Sequence, residues 1–448
     1  MNNTNKKQLD FTTGSIPKSM LIFVGPYLLG VLLQNLYGAV DLFVVGHYAA
    51  TADVSAVTIG SQLMSVITQL IIGFATGITI RIGLAFGARD SKSLSKIIGN
   101  SIIMFSSIAI LIMTLYITLR WLLVDIMQTP AEAVSRANEY LFICALGIPF
   151  IVGYNVITAI MTGLGDSKKP FIFVSVACII NIVLDIVLVR YIGLGALGAA
   201  IATTVAQAGS FVFAIVFLKI NGLGCKFSKS DIRIDTFQLK HIIKVGAPVA
   251  IQNVMVGISF LFVTAIINQM GLIASAAVGV VEKLIVFLFV PATSFATAVG
   301  TASSQNLGAG EYKRTHQSMW CGILMSLVPS LILFTLCQIN GPILTGIFTK
   351  NKEVIDIATN YLHSYIFDII LVSFVFSMNG YFNSLGKSWF SLLHSLLTTF
   401  AIRIPVAFIL SRLENTSLFL IGWAAPASTL VSLLMCLLFL HRIRRTKQ

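Results

Sequence analysis

Twelve apolar runs divide this chain of 448 residues, and each is long enough to cross a lipid bilayer as a helix. A spanning helix needs about 20 mainly apolar residues, because each residue adds ~1.5 Å and the hydrocarbon core is about 30 Å thick. Hydrophobic residues make up 56% of the chain and charged residues 10%, which is too apolar for a water-soluble globule. The sequence therefore predicts an all-α polytopic membrane protein. The predicted spans are 20–48, 55–80, 97–120, 138–163, 170–190, 196–218, 245–270, 276–302, 317–339, 357–383, 390–411 and 418–440.

The basic residues lie mainly in alternate loops between these spans. If both termini are cytoplasmic, the cytoplasmic segments hold 22 Lys and Arg residues and the outer loops hold six. This asymmetry predicts a multi-pass protein with both termini in the cytoplasm. It also accounts for the net charge of +13 without a nucleic-acid partner, because the basic residues are spread over membrane-flanking loops.

The chain repeats itself weakly at an offset of 221 residues, which pairs Phe74-Ala75-Thr76 with Phe295-Ala296-Thr297. Six helices per copy is an even number, so both copies insert in the same orientation and are related by an axis along the membrane normal. We therefore expect two six-helix bundles (6+6) around a central cavity, with alternating access by rocking of the halves. The predicted domains are a cytoplasmic N-terminal tail 1–19, an N-lobe 20–218, a basic cytoplasmic linker 219–244, a C-lobe 245–440 and a basic cytoplasmic tail 441–448.

Two pairs of polar residues stand inside apolar spans. Tyr37 and Asp41 lie in the first span, and Asn181 and Asp185 lie in the fifth. Each pair has the spacing i, i+4, so its members share one helix face, where the Tyr37 hydroxyl could reach Asp41. A carboxylate at membrane depth costs a few kcal/mol and usually marks an ion or substrate path. We expect the two pairs to form one site; the alternative is a structural pair that holds helices together by hydrogen bonds.

Further charged residues stand at membrane depth in the second half of the chain. Glu282 and Lys283 are adjacent, so they cannot face each other on a helix. Asp368 could pair with Arg403 in a buried salt bridge or act as a binding acid. Aromatic and Met residues could line a cavity wall, although core or lipid-facing positions are the alternative. The predicted substrate cavity comprises Gln34, Asn253, Met255, Glu282, Phe287 and Asp368.

Four features form a recognisable set: Gly25-Pro26 with Asp41, the stretch Gly73–Asp90, its counterpart Val290–Glu311, and the match of Thr162–Pro170 with Asn383–Ser388. Together they resemble the multidrug and toxic compound extrusion (MATE) family, and the bacterial MepA-like and DinF-like branch in particular. The resemblance spans nearly the whole chain. It implies a transporter of the bacterial plasma (inner) membrane that exports organic cations in antiport with H⁺ or Na⁺.

The resemblance also implies where the coupling ion binds. Family members use Tyr and Asp of the first helix, Asn and Asp of the fifth and Thr of the sixth. The matching positions here are Tyr37, Asp41, Asn181, Asp185 and either Thr203 or its neighbour Thr204. We expect no cofactor beyond H⁺ or Na⁺, and the oxygens of Asp41, Asp185 and Asn181 suit Na⁺ as ligands. A Glu that some branches carry in the seventh helix is Val256 here, a departure from the pattern of a carboxy-lobe cation site.

Pro26 removes a backbone hydrogen bond from the first span and predicts a hinge there. The hypothesis is that protonation lets the first helix bend at Pro26, which closes the lobe around Asp41 and displaces the organic cation. The expected partners are small organic cation drugs and the lipid bilayer, with the chain acting as a monomer.

Two other functions are alternatives to antiport. A flippase for lipids or lipid-linked oligosaccharides shares this architecture, but an anionic cargo needs a basic cavity, and acids outnumber Lys283 and Arg403 at membrane depth. The motifs HExxH and GxSxG are absent from the sequence, so we do not expect an enzyme.

Overall fold

The computed structural model describes residues 8–223, 225, 227–413 and 417–445, and this part of the chain is helical without strands. The predicted N-terminal tail 1–19 and C-terminal tail 441–448 lie partly outside the described residues, at 1–7 and 446–448. Eleven helical segments are long and apolar enough to cross a membrane, and one bent helix pair makes a twelfth. The predicted all-α fold with twelve spans is confirmed.

The first half of the chain contributes six helical spans. They are α1 (Ile16–Tyr48), α2 (Thr51–Gly87), α3 (Ser91–Ile126), α4 (Ala131–Gly163), α5 (Lys168–Asp185) and α6 (Gly195–Asn221). A π-helical turn, Ile186–Tyr191, continues α5 within one span. A short 3₁₀ turn, Lys229–Asp231, lies in the segment between the halves.

The second half is more interrupted, because several of its spans are built from two helices. Its helices are α7 (Thr236–Asn268), α8 (Leu272–Leu288), α9 (Val290–Gly308), α10 (Tyr312–Gly346), α11 (Lys352–Tyr365), α12 (Asp368–Ser384), α13 (Ser388–Thr398), α14 (Ile404–Ser411), α15 (Leu418–Gly422) and α16 (Ala424–Arg445). A π-helical turn, Thr399–Arg403, joins α13 to α14. Helices α11 and α12 form the bent pair, at an angle of 45°.

Most spans are longer than predicted, because polar first and last turns continue the helical hydrogen bonding beyond the apolar run. Helix α7 begins at Thr236, nine residues before the predicted start at 245. Helix α3 begins at Ser91, where the Asp90 side chain accepts a hydrogen bond from the Ser93 backbone N–H. Hydropathy detects the hydrocarbon-spanning part of a helix and misses these polar ends.

The helices group into two compact units. The first comprises Gly25–Ala250 with the residues up to Phe11, and the second comprises Thr12–Val24 with the chain from Ile251 onward. The chain passes between units inside α1, next to Pro26, and inside α7, two residues after Pro248. Each helix is continuous through its proline. The lobe limits 20–218 and 245–440, drawn from the spans alone, stay a prediction.

Within the first unit, α2 and the first part of α7 approach so closely that only glycine fits at the crossing. A Cβ at Gly73 would overlap the backbone of Ala250, and a Cβ at Gly77 would overlap the carbonyl of Ile242. Small residues of this kind let helix backbones pack tightly in membranes. The residues of α7 before Pro248 therefore belong to the core packing of the first unit.

The segment before α7 is fixed to the same unit by polar contacts with α3. Lys96 forms a salt bridge of 2.8 Å with Asp235, and the Asp235 backbone N–H donates to Asn100 Oδ1 at 2.9 Å. The Lys96 ammonium holds the pKa of the Asp235 carboxyl below its usual range. A Cβ at Gly99 would overlap the Asp231 carbonyl, so this segment lies directly on the α3 backbone.

Candidate functional site

Asp41 lies inside α1 and is almost fully buried, with 5% of its surface exposed. The Thr203 hydroxyl of α6 donates a hydrogen bond to Asp41 Oδ2 at 2.9 Å. Asn181 Nδ2 of α5 donates in turn to Thr203 Oγ1 at 3.5 Å. Side chains from α1, α5 and α6 thus meet at one point of the first unit, as the sequence predicted for these residues.

Asp185 completes this group from the end of α5 and is fully buried. Its carboxyl group neighbours that of Asp41, yet neither Asp185 oxygen has a hydrogen-bond partner within the described chain. Asp41 Oδ1 and Asn181 Oδ1 also lack partners there. No described Lys, Arg or His forms an ion pair with either acid.

These unpaired acceptors define the chemistry that the site can perform. A buried carboxylate without a partner costs several kcal/mol, and two adjacent carboxylates also repel each other. A proton shared between them or a cation bound by them removes that cost. The site is therefore built to hold positive charge that the described protein does not itself supply.

Tyr37 lies near Asp41, but a different residue holds its hydroxyl. Gln207 Nε2 of α6 donates to the Tyr37 hydroxyl oxygen at 2.8 Å, and in the described part of the chain no hydrogen bond joins Tyr37 to Asp41. The expected Tyr37–Asp41 bond is therefore not formed. Sequence reasoning missed Gln207, although its position four residues after Thr203 places both on one face of α6.

The structure also distinguishes between the two threonines. The Thr204 hydroxyl donates to the Ile143 carbonyl of α4 at 3.1 Å, and within the described chain it forms no hydrogen bond with Asp41. Successive helical residues point about 100° apart, so neighbouring side chains cannot face the same group. Thr203 is the threonine of this site.

Local backbone structure places the contributing helices. The π-helical turn Ile186–Tyr191 begins immediately after Asp185, and such turns occur frequently at functional sites. At the start of α6, Asp53 Oδ1 accepts the Ala196 backbone N–H at 3.1 Å, and Arg136 pairs with Asp53 Oδ2 at 2.5 Å. These contacts join α2, α4 and α6, and they hold the N-terminal end of α6, the helix that carries Thr203.

The residues predicted for the substrate cavity belong to both units. Gln34 is half-buried on α1 in the first unit, whereas Asn253, Met255, Glu282, Phe287 and Asp368 belong to the second. Asn253, Met255 and Phe287 are half-buried, as is Glu282, which accepts a hydrogen bond from the Thr264 hydroxyl at 2.8 Å. Lys283 is exposed.

The predicted salt bridge between Asp368 and Arg403 is absent from the described structure. Arg403 donates to the Tyr365 hydroxyl at 3.1 Å, and its guanidinium lies 4.0 Å from the centre of the Phe260 ring. Asp368 Oδ1 is buried without a partner. Asp368 begins α12 after the 45° bend and Arg403 ends a π-helical turn, and helix spacing encodes neither feature.

Comparison with known proteins gives relatives over nearly the full length. The probable multidrug resistance protein YoeA of Bacillus subtilis (strain 168) is 26% identical over 441 residues, which cover 97% of this chain and 95% of that protein. The multidrug export protein MepA of Staphylococcus aureus (strain MSSA476) is 23% identical over 409 residues, covering 90% and 89%.

Solved structures of transporters share the fold. A multidrug resistance MATE family transporter of the MOP superfamily, in an outward-facing conformation, matches with a TM-score of 0.93 at 21% identity, over 99% of this chain and 98% of that chain. A MOP superfamily transporter from Pyrococcus furiosus Vc1 (DSM3638) matches with a TM-score of 0.93 at 20% identity, over 99% of each chain.

The family model MatE matches residues 26–187 and 248–409, two blocks that begin at Pro26 and at Pro248. The two matches reproduce the internal repeat predicted from the sequence and cover more than half of the chain. This membrane protein therefore belongs to the MATE family of transporters, as the resemblance predicted.

Proposed function

We propose that this protein is a secondary active multidrug efflux transporter that exports organic cations in exchange for H⁺ or Na⁺. One observation carries the proposal: Asp41 and Asp185 are buried side by side, and most of their oxygens have no partner in the described chain. The relatives named as multidrug resistance or export proteins support the choice of drugs as cargo.

Coupling requires a group that binds the driving ion and the organic cation in alternation. Two adjacent carboxylates meet this need, because one proton or one small cation between them neutralises the charge that would otherwise attract the drug. The same carboxylates, with Asn181 Oδ1 and Thr203 Oγ1, offer the oxygen ligands that Na⁺ prefers, by analogy with other hard cations. Both ions therefore fit the proposed mechanism.

The hinge of this mechanism is Pro26. It lies 15 residues before Asp41 on α1, about 22 Å along the helix. The chain passes from the second unit to the first between Val24 and Gly25, so bending at Pro26 would move the part of α1 that carries Asp41. In our proposal, ion binding at Asp41 and Asp185 is coupled to this bending and releases the organic cation.

We further propose that the protein resides in the bacterial plasma membrane, with both termini in the cytoplasm, and acts as a monomer on small organic cations. The excess of basic residues in alternate loops supports this orientation, and the relatives come from bacteria. Each coupling residue of the proposed site lies within one chain, so the site needs no second copy.

The decisive experiment measures ethidium transport by the purified protein in liposomes, with proton and sodium gradients imposed separately. Wild type should move ethidium under at least one gradient. Asp41→Asn and Asp185→Asn should lose gradient-driven transport and still bind ethidium. Asp125→Asn is the matched control, because it neutralises an exposed acid at the end of α3 in the same unit.

The outcomes distinguish cation antiport from flippase activity. Unimpaired coupling in Asp41→Asn would refute the assignment of that residue. If wild type moves no monovalent organic cation under either gradient, the antiport proposal fails and a flippase of related architecture becomes the better explanation.

A further inference from the structure

An apolar groove lies between α3 and the first turns of α7 in the first unit, and none of its lining residues belongs to the Asp41 site. Its volume is about 430 Å³, within the usual range for ligand pockets in proteins. We call it the α3–α7 groove. Its walls are Phe74 of α2, one face of α3 between Asn100 and Ile108, and the side chains of Ile234, Leu239 and Ile243.

The shape and chemistry of the groove suit a hydrocarbon chain. From Asn100 to Ile108 its α3 wall runs about 12 Å along the helix. The polar groups in this wall are already bonded within the chain. Asn100 Oδ1 accepts the Asp235 backbone N–H at 2.9 Å, and the Ser107 hydroxyl donates to the Ile103 carbonyl at 3.0 Å. A ligand in the groove is therefore held by the burial of apolar surface.

Basic side chains stand at one rim of the groove. Lys240 and Lys244 lie one turn apart on α7 and line a second hollow, which shares Leu239 and Ile243 with the groove. Both lysines are exposed, and neither takes part in an ion pair of the described chain. The nearest acid in the sequence, Asp235, is already bonded to α3 through its salt bridge. The rim thus offers two positive charges to an anionic ligand.

Large apolar side chains beside these lysines are uncovered in the described chain. Ile234 is 66% exposed and Phe237 is 60% exposed, and they stand among the exposed basic residues Arg233 and Lys240. Apolar and basic side chains in one short segment are typical of chain that lies in the headgroup region of a membrane. The rim of the groove is therefore placed at the level of the lipid headgroups, and the groove extends from there towards the hydrocarbon.

We propose that the α3–α7 groove binds one anionic phospholipid of the leaflet in which α7 begins. One acyl chain fills the groove, and Lys240 and Lys244 bind the phosphate of the headgroup. In the orientation proposed above, this is the cytoplasmic leaflet. The ligand is a lipid of the surrounding membrane and not the transported cation, so the site adds a binding activity to the proposed efflux function.

The first test compares two lipids on wild type. Dioleoyl phosphatidylglycerol is anionic, whereas dioleoyl phosphatidylcholine has the same acyl chains and a cationic choline that the lysines repel. Native mass spectrometry of the full chain, released from detergent micelles, measures the dissociation constant of the first bound lipid. Wild type should bind phosphatidylglycerol about tenfold more tightly, since each lysine adds a several-fold attraction. Equal affinities for the two lipids would overturn the proposal.

Charge variants locate this preference at the rim. The double variant Lys240→Gln with Lys244→Gln should weaken phosphatidylglycerol binding by about tenfold and leave phosphatidylcholine binding unchanged. The matched control is Lys92→Gln with Lys219→Gln, two exposed lysines of α3 and α6 in the same unit that do not line the groove. An equal loss in the control would show a general attraction to the basic protein and would refute a site at Lys240 and Lys244.

A second pair of variants tests the acyl chain. Ser107→Trp places a bulky ring at the groove wall and should weaken the binding of both lipids severalfold. Ser106→Trp is the matched control, because Ser106 is an exposed neighbour on α3 that does not line the groove, and it should change neither affinity. Unchanged lipid binding in a folded Ser107→Trp protein would contradict the position of the chain.

A crosslinking experiment on wild type needs no variant to fold. Phosphatidylglycerol with a diazirine in its acyl chain should, after irradiation, mark α3 between Asn100 and Ile108 or the α7 residues Leu239 and Ile243. Adducts found only elsewhere would refute the groove as the binding site.

A soluble competitor distinguishes a lipid from a free phosphate. Glycerol 1-phosphate carries the phosphate without acyl chains, so even a large excess should not displace phosphatidylglycerol. Displacement would show that the lysines bind a soluble anion and would overturn the lipid proposal. None of these measurements uses an ion gradient or a drug. If ethidium is transported but wild type does not prefer phosphatidylglycerol, the lipid site is refuted and the efflux function stands.

Discussion

The Thr203 hydroxyl donates to Asp41 Oδ2 at 2.9 Å, and this hydrogen bond ties α6 to the acid of α1. The other oxygen of this carboxyl, Oδ1, has no hydrogen-bond partner in the described structure. The ionisation and ion affinity of Asp41 must therefore respond to Thr203 more than to any other hydroxyl of α6.

Thr203→Val should impair coupling. Removing a hydrogen bond to a charged group costs about 1.5–3 kcal/mol, so we expect the concentration of H⁺ or Na⁺ for half-maximal transport to shift by about tenfold or more. The measurement is ethidium transport in liposomes as a function of either ion. Thr204→Val is the matched control, because its hydroxyl bonds the Ile143 carbonyl; an equal shift in both variants would argue against a direct role of Thr203.

Gln207→Leu should slow transport severalfold, because the Tyr37 hydroxyl loses its donor and is no longer held beside Asp41. Tyr37→Phe should have a similar effect, and the double variant should be no worse than either single one, since contacting residues are not additive. The transport rates of wild type, the two single variants and the double variant form a double-mutant cycle. Fully additive losses, or an equal loss in the exposed-site control Gln62→Leu, would show that the pair does not act together.

Pro26→Ala should slow transport while leaving ethidium binding largely intact, because it restores a backbone hydrogen bond at the proposed hinge of α1. Transport rate and equilibrium binding are measured on the same preparation. Pro149→Ala, inside α4 of the first unit, controls for the removal of any helix proline. The hinge is refuted if Pro26→Ala loses binding and transport to the same extent.

Gly73→Ala should destabilise the protein by about 1–3 kcal/mol, because the added methyl group would overlap the Ala250 backbone. The readout is the midpoint of thermal unfolding in detergent. Gly257→Ala, at a helical position of α7 with no atom within 4 Å of the new methyl group, should be neutral or slightly stabilising. A fall in the midpoint with Gly257→Ala and none with Gly73→Ala would contradict the observed packing of α2 on α7.

Asp235→Asn should loosen the segment before α7 by removing its salt bridge with Lys96. The pKa of Asp235 is lowered, so its stabilising effect is present above the ordinary carboxyl pKa and is lost as pH falls through the lowered value. At pH 7 to 8, trypsin should cleave after the exposed Arg233 about twofold faster in the variant than in wild type, since a partly exposed pair contributes little. Glu139→Gln, an exposed acid of α4, should leave cleavage unchanged; unchanged cleavage in Asp235→Asn would show that the salt bridge does not hold the segment.

Some features of the molecule follow from local sequence. Twelve spans could be predicted because the thickness of the hydrocarbon core sets the length of a spanning helix. This length can be compared with each apolar run without knowing how the helices pack. Asp41 and Asp185 stood out because a carboxylate at that depth is costly wherever the helices pack. The two blocks of the family match correspond to the two copies of the repeat that an offset of 221 residues reveals in the sequence.

The tertiary structure decided which polar groups meet. Thr203 rather than Thr204 bonds Asp41, Gln207 bonds the Tyr37 hydroxyl, and Arg403 bonds the Tyr365 hydroxyl instead of forming an ion pair with Asp368. Periodicity places residues on one face of one helix, whereas a contact between helices depends on their rotation, bends and π-helical turns, which arise from packing along the whole chain. The sequence thus determined the spans and their buried charges, and only the packed helices decided the partners of those charges.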